Sequence, residues 1–147
     1  MTSVIILSSH AHRYRGIIAA RDLADASLTY AETLEEALPA AADAEVLFGA
    51  PDLLAELAPH CPGLRWVQSS WAGVTPLLEL PRRDYRLTGV RDIFGAPMSE
   101  YVLGWLLALE RNIPAHFGAS HWNPGREGHL HGKTIGIMGT GSIGSHV

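Results

Sequence analysis

Short apolar runs alternate with stretches of helical spacing along most of the chain. Val4–Leu7 is a β-branched run typical of a buried strand, and Tyr14, Ile17, Ile18 and Leu23 then recur at roughly helical intervals. Four further strand-like runs follow, at Leu28–Tyr30, Val46–Phe48, Leu64–Gln68 and Tyr85–Thr88. Strands that alternate with short helices predict parallel pairing through right-handed crossovers, and therefore an α/β fold with a doubly wound sheet.

Two of the intervening helices carry boundary signals. Thr33 precedes Leu34 and has Glu36 three positions on, a pattern that predicts a capped helix start. Pro39 predicts that this helix ends or kinks early, because proline lacks a backbone N–H. Pro51 suits the first position of a helix that runs through Leu57.

A longer helix is predicted over Pro97–Ile113, with Pro97 at its first position and Glu100 in its first turn. Its apolar residues surround the helix axis: Met98, Tyr101, Val102, Leu103, Trp105, Leu106, Leu107 and Leu109. This pattern predicts burial on several sides. Two interpretations remain: a helix wedged between two domains or two subunits, or the central core helix of one domain.

The following segment, Pro114–His131, lacks periodicity and contains Pro124, Gly125 and Gly128, which indicates a connector between domains. It also carries four histidines, His116, His121, His129 and His131. The segment offers no Cys and no helix-borne H-x-x-x-H pair, so we predict solvated loop histidines and no metal site.

Ligands of open α/β sheets bind outside the carboxyl ends of the strands, which directs attention to the loop Ser69–Val74. Small residues around Gly73 leave backbone N–H groups available for an anion. The alternative is that Gly73 serves only the geometry of a strand-to-helix turn.

Near the end of the chain, strand-like Thr134–Met138 leads into the sequence Gly139-Thr140-Gly141-Ser142-Ile143-Gly144. This is the G-x-G-x-x-G pattern of a dinucleotide-binding turn that opens a helix. Gly139 would permit the tight turn, Gly141 the approach of a pyrophosphate, and Gly144 close packing of helix and strand. The acidic residue that would choose between NAD and NADP is expected about 20 positions further on, so both cofactors remain open.

Composition supports a packed globular protein that binds a small molecule. The 147 residues are 47% hydrophobic and carry a net charge of -4, which offers no attraction to nucleic acid or to an anionic membrane. Tyr101–Leu109 is far shorter than the roughly 20 apolar residues of a membrane span, and no secretory signal precedes Val4. The single Cys61 fits a reducing compartment, so we expect a cytoplasmic protein.

Four segments follow one another in a characteristic order: Val67–Val74, Leu87–Arg91, Met98–Gly104 and Gly132–Gly139. Together they resemble the D-isomer-specific 2-hydroxyacid dehydrogenases, most closely the branch of glyoxylate/hydroxypyruvate reductases. Thr75 departs from the family pattern, which often has Asp or Asn at this position. That departure weakens the assignment to the branch more than the assignment to the family.

The resemblance implies hydride transfer between nicotinamide, as NAD or NADP, and a small 2-oxo or 2-hydroxy acid. It implies a flavodoxin-like substrate-binding domain over residues 1–95, an interdomain helix and connector over 96–131, and the first strand and glycine turn of a Rossmann domain over 132–147. The buried helix at 97–113 would contribute to a homodimer.

The resemblance also assigns roles to individual residues. The backbone N–H groups of Trp71, Ala72, Gly73 and Val74 would bind the substrate carboxylate, and Met98 would lie near the cofactor. The catalytic Arg, Glu and His of the family follow its glycine turn, so none is expected in this chain, which would be truncated and inactive alone. A noncatalytic ligand-binding or dimerisation module is the alternative, and a phosphoacceptor receiver is disfavoured because no acidic pair follows the first strand.

Overall fold

The computed structural model describes residues 1–21, 23–122, 125 and 127–147. These residues divide into two compact units, Met1–Val90 and Arg91–Val147. None of the helices within the described ranges is both long enough and apolar enough to cross a bilayer.

The first unit contains one parallel sheet of five strands. The strands are β1 Thr2–Leu7, β2 Ala26–Ala31, β3 Val46–Gly49, β4 Trp66–Ser69 and β5 Arg86–Thr88. Their order in the sheet is β2-β1-β3-β4-β5, which is the flavodoxin-like order. The predicted α/β class, the five strand positions and the parallel pairing are therefore confirmed.

Four helices connect these strands: α1 Ala11–Ile18, α2 Leu34–Ala41, α3 Pro51–Leu57 and α4 Thr75–Leu78. A 3-10 turn at Ala58–His60 follows α3. The predicted start of α2 is confirmed, since Thr33 Oγ1 accepts a hydrogen bond from the Glu36 N–H at 3.3 Å. The bounds predicted for α3 are also confirmed.

Two details of the predicted helices are wrong. α1 ends at Ile18, so Leu23 does not belong to it. Pro39 neither ends nor interrupts α2, which continues to Ala41. Proline removes one intrahelical hydrogen bond, but Ala37 and Ala41 are both buried on either side of it, and this packing maintains the helix.

The core lies on one face of the sheet. Ile5, Leu7, Leu47 and Val67 alternate with residues of the other face and are fully buried beneath α2, α3 and α4. The helices contribute further buried apolar residues to this cluster, among them Ala37, Leu54, Leu57 and Leu77. A shift of β1, β3 or β4 by one residue would move its apolar side chains from this buried face to the other one. Burial under the helices therefore fixes the pairing register of these strands.

On the opposite face of the sheet, α1 packs against β1 and β2. Tyr14 of α1 packs edge-on against Phe48 of β3, with ring centroids 4.9 Å apart. Beside α1 lies an open apolar cavity of about 1120 Å³, lined by Val4, Ile6 and Trp66 among others. This cavity lies on the sheet face rather than at the carboxyl ends of the strands.

The second unit begins with α5, Gly95–Glu110, rather than with the predicted helix Pro97–Ile113. Pro97 is its third residue, and Asn112 in the left-handed conformation, with φ of 50°, follows its end. A separate 3-10 turn spans Ile113–His116. Only Gly95 of α5 is buried, so α5 is not a central core helix in this chain.

The rest of the second unit is irregular where it is described. Pro124, one of the turn residues of the predicted connector, lies outside the described residues. The prediction of a strand at Thr134–Met138 is wrong: these residues pair with no strand in the described ranges, and Met138 is fully exposed. A strand requires a hydrogen-bonded neighbour, which apolar alternation by itself does not supply. The predicted helix opening at Ile143 is limited to a turn over residues 142–146.

Arg82 connects the segments that lead into β4 and β5. Its guanidinium donates to the carbonyl oxygens of Cys61 at 2.6 Å, Pro62 at 3.2 Å and Leu64 at 3.3 Å, and it also pairs with Asp84. The hydrogen bond from Arg82 lowers the pKa of Asp84, whereas burial raises the pKa of the Cys61 thiol to about 11. One cation on the segment before β5 therefore satisfies three carbonyl groups on the segment before β4.

We expect Arg82→Met to lower the free energy of unfolding by about 1.5–3 kcal/mol, because it leaves carbonyl groups without their charged donor. Arg13→Met is the control, since Arg13 is exposed and its side chain makes no hydrogen bond to any described residue. Urea unfolding followed by tryptophan fluorescence measures both variants.

The pKa of Asp84 is lower in the folded protein than in the unfolded chain. The contribution of the Arg82–Asp84 pair to the free energy of unfolding is therefore present at neutral pH and disappears as pH falls through the pKa of Asp84 in the folded protein. Equal stabilities of the two variants at neutral pH would contradict the proposed anchoring.

Candidate functional site

The carboxyl ends of β3 and β4 are joined closely in the first unit. Gly49 and Ser69 are register partners, and the Ser70 N–H continues the pairing by donating to the Gly49 carbonyl oxygen at 2.7 Å. A Cβ at Gly49 would overlap the carbonyl oxygen of Leu7, the partner of Gly49 on β1. Glycine is therefore required where these strands end.

The loop Trp71–Val74 begins at this edge. Ser69 is fully buried, and its hydroxyl accepts a hydrogen bond from the Trp71 N–H and donates one to the Trp71 carbonyl oxygen, both at 3.0 Å. The Val90 N–H donates to the same Trp71 oxygen at 3.2 Å. These bonds join the loop to the ends of both β4 and β5.

The next three residues, Ala72, Gly73 and Val74, have N–H groups that no described residue accepts. Ala72 and Gly73 are exposed, so these donors are accessible from solvent. Consecutive free N–H groups can bind a carboxylate oxygen without a charged side chain. The structure imposes no left-handed backbone at Gly73, and a Cβ there would meet no atom within 4 Å. The fold itself therefore gives no reason for a glycine at this position.

The glycine turn of the second unit has two positions where glycine is structurally required. Gly139 has a φ of 95°, and a Cβ at Gly144 would overlap the Gly139 carbonyl oxygen. Gly141, by contrast, has open space around the position of its missing Cβ. The Ser145 N–H donates to the Gly141 oxygen at 3.0 Å, which makes one helical turn after the glycines. Of the other motif residues, Ser142 and Ile143 lie within this turn and Thr140 precedes it.

Met98 lies on the first part of α5, in the same unit as the glycine turn. The buried Gly95 packs against the imidazole of His146, with a Cβ position only 2.5 Å from Nδ1. His146 Nδ1 in turn lies 2.7 Å from the Ser142 carbonyl oxygen. These contacts bring the start of α5 beside the end of the glycine turn.

The histidines do not converge on a common point. His116 Nε2 lies 3.6 Å from Glu127 Oε1, and His12 Nδ1 lies 3.1 Å from Glu32 Oε1 at the end of β2. Across residues 1–21, 23–122, 125 and 127–147, no group of three or more His, Cys, Asp or Glu residues is arranged to hold a metal ion.

The sequence pattern placed Ser69 at the start of the candidate loop and Gly89 in one of the resembling segments, but it predicted no individual role for Ser69, Gly49 or Gly89 at this edge. A signal for Ser69 was available, because serine often bonds to the backbone N–H two residues later and Ser69 ends an apolar strand. Gly89 gave no comparable signal. A Cβ at Gly89 would lie 3.1 Å from the Trp71 oxygen, a contact between residues far apart in sequence.

Comparison with solved structures shows what this arrangement is similar to. A D-isomer-specific 2-hydroxyacid dehydrogenase family protein from Aeromonas salmonicida is 36% identical, with a TM-score of 0.92, over 99% of this chain and 48% of its own. This chain matches about half of a D-isomer-specific 2-hydroxyacid dehydrogenase. The family resemblance carried by the four sequence segments is thereby confirmed.

More distant structures share the fold of this family. NAD-dependent formate dehydrogenase from Staphylococcus aureus, in complex with NAD, is 18% identical with a TM-score of 0.70, over 99% of this chain and 51% of its own. A probable 2-hydroxyacid dehydrogenase from Rhizobium etli, in complex with NADP, HEPES and L(+)-tartaric acid, is 20% identical with a TM-score of 0.70, over 99% and 47%. The chain spans about half the length of these proteins. No protein-family model and no curated protein matches it.

Gly144→Ala should disturb the glycine turn, whereas Gly141→Ala should not. The added Cβ would overlap the Gly139 carbonyl oxygen in the first variant and enter open space in the second. We expect Gly144→Ala to move the amide signals of Ile137–Gly139 in ¹H–¹⁵N NMR spectra, and Gly141→Ala to affect only its immediate neighbours. Equal shifts at Ile137–Gly139 in both variants would contradict the observed packing.

Proposed function

We propose that the chain supplies the substrate-binding part, and the beginning of the cofactor-binding part, of an NAD(P)-dependent oxidoreductase. The reaction is hydride transfer between nicotinamide and a small 2-oxo or 2-hydroxy acid. The observation that carries the proposal is the loop Ala72–Val74, whose free N–H groups lie at the carboxyl edge of the sheet. The chain that contains this loop is 36% identical to a family member over 99% of its length. Such an edge is where open α/β sheets bind ligands.

The substrate carboxylate accepts hydrogen bonds from the backbone of Trp71–Val74. Backbone donors recognise the carboxylate shared by all 2-oxo acids, while the exposed Trp71 side chain offers an apolar surface beside it. Resemblance to glyoxylate/hydroxypyruvate reductases favours a short, polar 2-oxo acid as substrate. Residues 1–95 form the substrate-binding domain in this proposal, and 96–131 form the interdomain helix and connector.

NAD or NADP binds at residues 132–147. Its pyrophosphate approaches the open space at Gly141, with Gly139 and Gly144 shaping the turn, and Met98 borders the nicotinamide side. One structural relative contains NAD and another NADP, which supports keeping both cofactors. The location we propose is the cytoplasm, where the buried free thiol of Cys61 stays reduced.

We also propose that α5 forms a homodimer interface. Tyr101, Trp105 and Leu109 are exposed on one face of this helix, and Leu103 and Leu107 are exposed on the opposite face. Exposed apolar surface of this kind marks interaction sites. Burying each large side chain contributes about 1.5–3 kcal/mol, so several of them can offset the cost of association.

Oxalate titration tests the substrate loop directly. We expect oxalate to move the amide NMR signals of Ala72–Val74 in the wild-type chain. Gly73→Val should leave the fold intact, because a Cβ at this position meets no atom of the protein. It should weaken oxalate binding by roughly tenfold or more, because the valine side chain would occupy the space that oxalate fills when it is bound. Gly63→Val is the matched control, since its Cβ makes only an ordinary contact, 3.8 Å from the Ala44 oxygen.

Two outcomes would count against the loop assignment: oxalate that moves only distant amides, and a Gly73→Val variant that binds oxalate normally. A separate expectation is that the 147-residue chain alone is inactive, because the family's catalytic Arg, Glu and His follow the glycine turn. Steady NAD(P)H oxidation with glyoxylate by the purified chain would contradict that second expectation. Oxalate binding without any cofactor binding at Gly139–Gly144 would favour the noncatalytic module.

Replacement of both Trp105 and Leu106 by Asp should convert the dimer into monomer. Sedimentation velocity at tens of micromolar measures the association, and circular dichroism shows whether the variant remains folded. The matched control is the Asp substitution of Arg13, an exposed residue of the first unit, since this change leaves α5 untouched. A wild-type chain that sediments as a compact monomer would exclude the dimer.

A further inference from the structure

We propose that Ser69 is a positioning residue, whose buried hydroxyl holds the Trp71 peptide groups and thereby orders the N–H groups of Ala72–Val74 for a carboxylate. This inference rests on the proposed function of the loop. Ser69 itself would not touch the substrate. Its effect passes through the backbone of Trp71.

The Ser69 hydroxyl makes two hydrogen bonds to the backbone of Trp71. Ser69 Oγ accepts from the Trp71 N–H and donates to the Trp71 carbonyl oxygen, each over 3.0 Å. Both backbone groups of Trp71 are thus fixed relative to the last residue of β4. Ser69 is completely buried, so water cannot replace either bond without opening the strand end.

Gly89 and Val90, the residues that follow β5, contact the Trp71 carbonyl oxygen as well. That oxygen also accepts from the Val90 N–H at 3.2 Å. A Cβ at Gly89 would lie 3.1 Å from the same oxygen and 3.6 Å from the Ala72 oxygen. The beginning of the loop is therefore held between Ser69 and the segment that follows β5.

Burial of apolar side chains contributes little to the order of the loop Trp71–Val74. The Trp71 side chain is 61% exposed, and Ala72 and Gly73 are exposed as well. Val74 alone packs against the core, at the far end of the loop. The hydrogen bonds at Trp71 are therefore the main restraint on the loop's first residues.

An ordered loop binds its ligand more tightly than a mobile one, because the entropy of ordering is not lost on binding. Removing the Ser69 hydroxyl should loosen the loop and weaken carboxylate binding roughly tenfold, as expected for loss of neutral hydrogen bonds of ordinary strength. The sheet beneath it should remain intact.

Ser69→Ala tests this inference, with Ser70→Ala as the matched control. Ser70 is the adjacent serine, its hydroxyl bonds to no described residue, and its link to Gly49 uses the backbone only. Amide hydrogen exchange at Trp71 and Val90, whose N–H groups are hydrogen-bonded, reports the order of the loop's beginning without any ligand, and oxalate titration reports affinity. We expect Ser69→Ala to raise exchange at these amides, leave exchange in β1 unchanged and raise the oxalate Kd roughly tenfold. We expect Ser70→Ala to do none of these.

The two readouts separate this inference from the proposed function. Failure of the wild-type chain to bind oxalate would refute the carboxylate loop, whatever the exchange of Ser69→Ala. The role of Ser69 is refuted if Ser69→Ala and Ser70→Ala exchange alike, or if the loop loosens while oxalate affinity is unchanged.

A second variant covers the case in which Ser69→Ala does not fold. Gly89→Ala presses on the Trp71 oxygen from the other side and leaves the Ser69 hydroxyl in place. It should raise exchange at the same amides and weaken oxalate binding. Unchanged exchange and affinity in Gly89→Ala would then refute the inference.

Discussion

The parallel pairing of β3, β4 and β5 is the constraint on which the candidate site depends. It makes Gly49 and Ser69 register partners and brings the residues after β5 next to Trp71. Parallel strands end at the same edge, so loops distant in sequence become neighbours there. The free N–H groups of Ala72–Val74 acquire a defined position only because Ser69 and Val90 hold the preceding residue.

The same sheet explains where the unit is stable and where it is open. Apolar residues of one face are buried under α2, α3 and α4, whereas α1 packs on the other face and leaves an open cavity beside it. Arg82 satisfies three carbonyl groups before β4, at the edge opposite the loop. Stability and the candidate ligand site therefore depend on different ends of the strands, which permits substitutions that affect one and not the other.

In the second unit, the glycine turn forms although the strand that usually precedes it does not. Gly139 and Gly144 adopt the close turn that the glycine pattern predicts, with one helical turn after it. The residues before it nevertheless form no strand, and large apolar side chains of α5 are exposed. Turn geometry is a property of a few adjacent residues, whereas strand pairing and burial of a helix require partners.

Sequence alone determined the order and type of the elements in the first unit, since hydrophobic periodicity and the helix-start residues Thr33 and Pro51 act locally. It also pointed to the family and to the loop at Trp71–Val74. Tertiary structure decided that α2 continues through Pro39, that Thr134–Met138 is unpaired, and that Ser69 and Gly89 meet Trp71 from two sides. Each of these outcomes depends on atoms brought together from distant parts of the chain, and periodicity carries no information about such contacts.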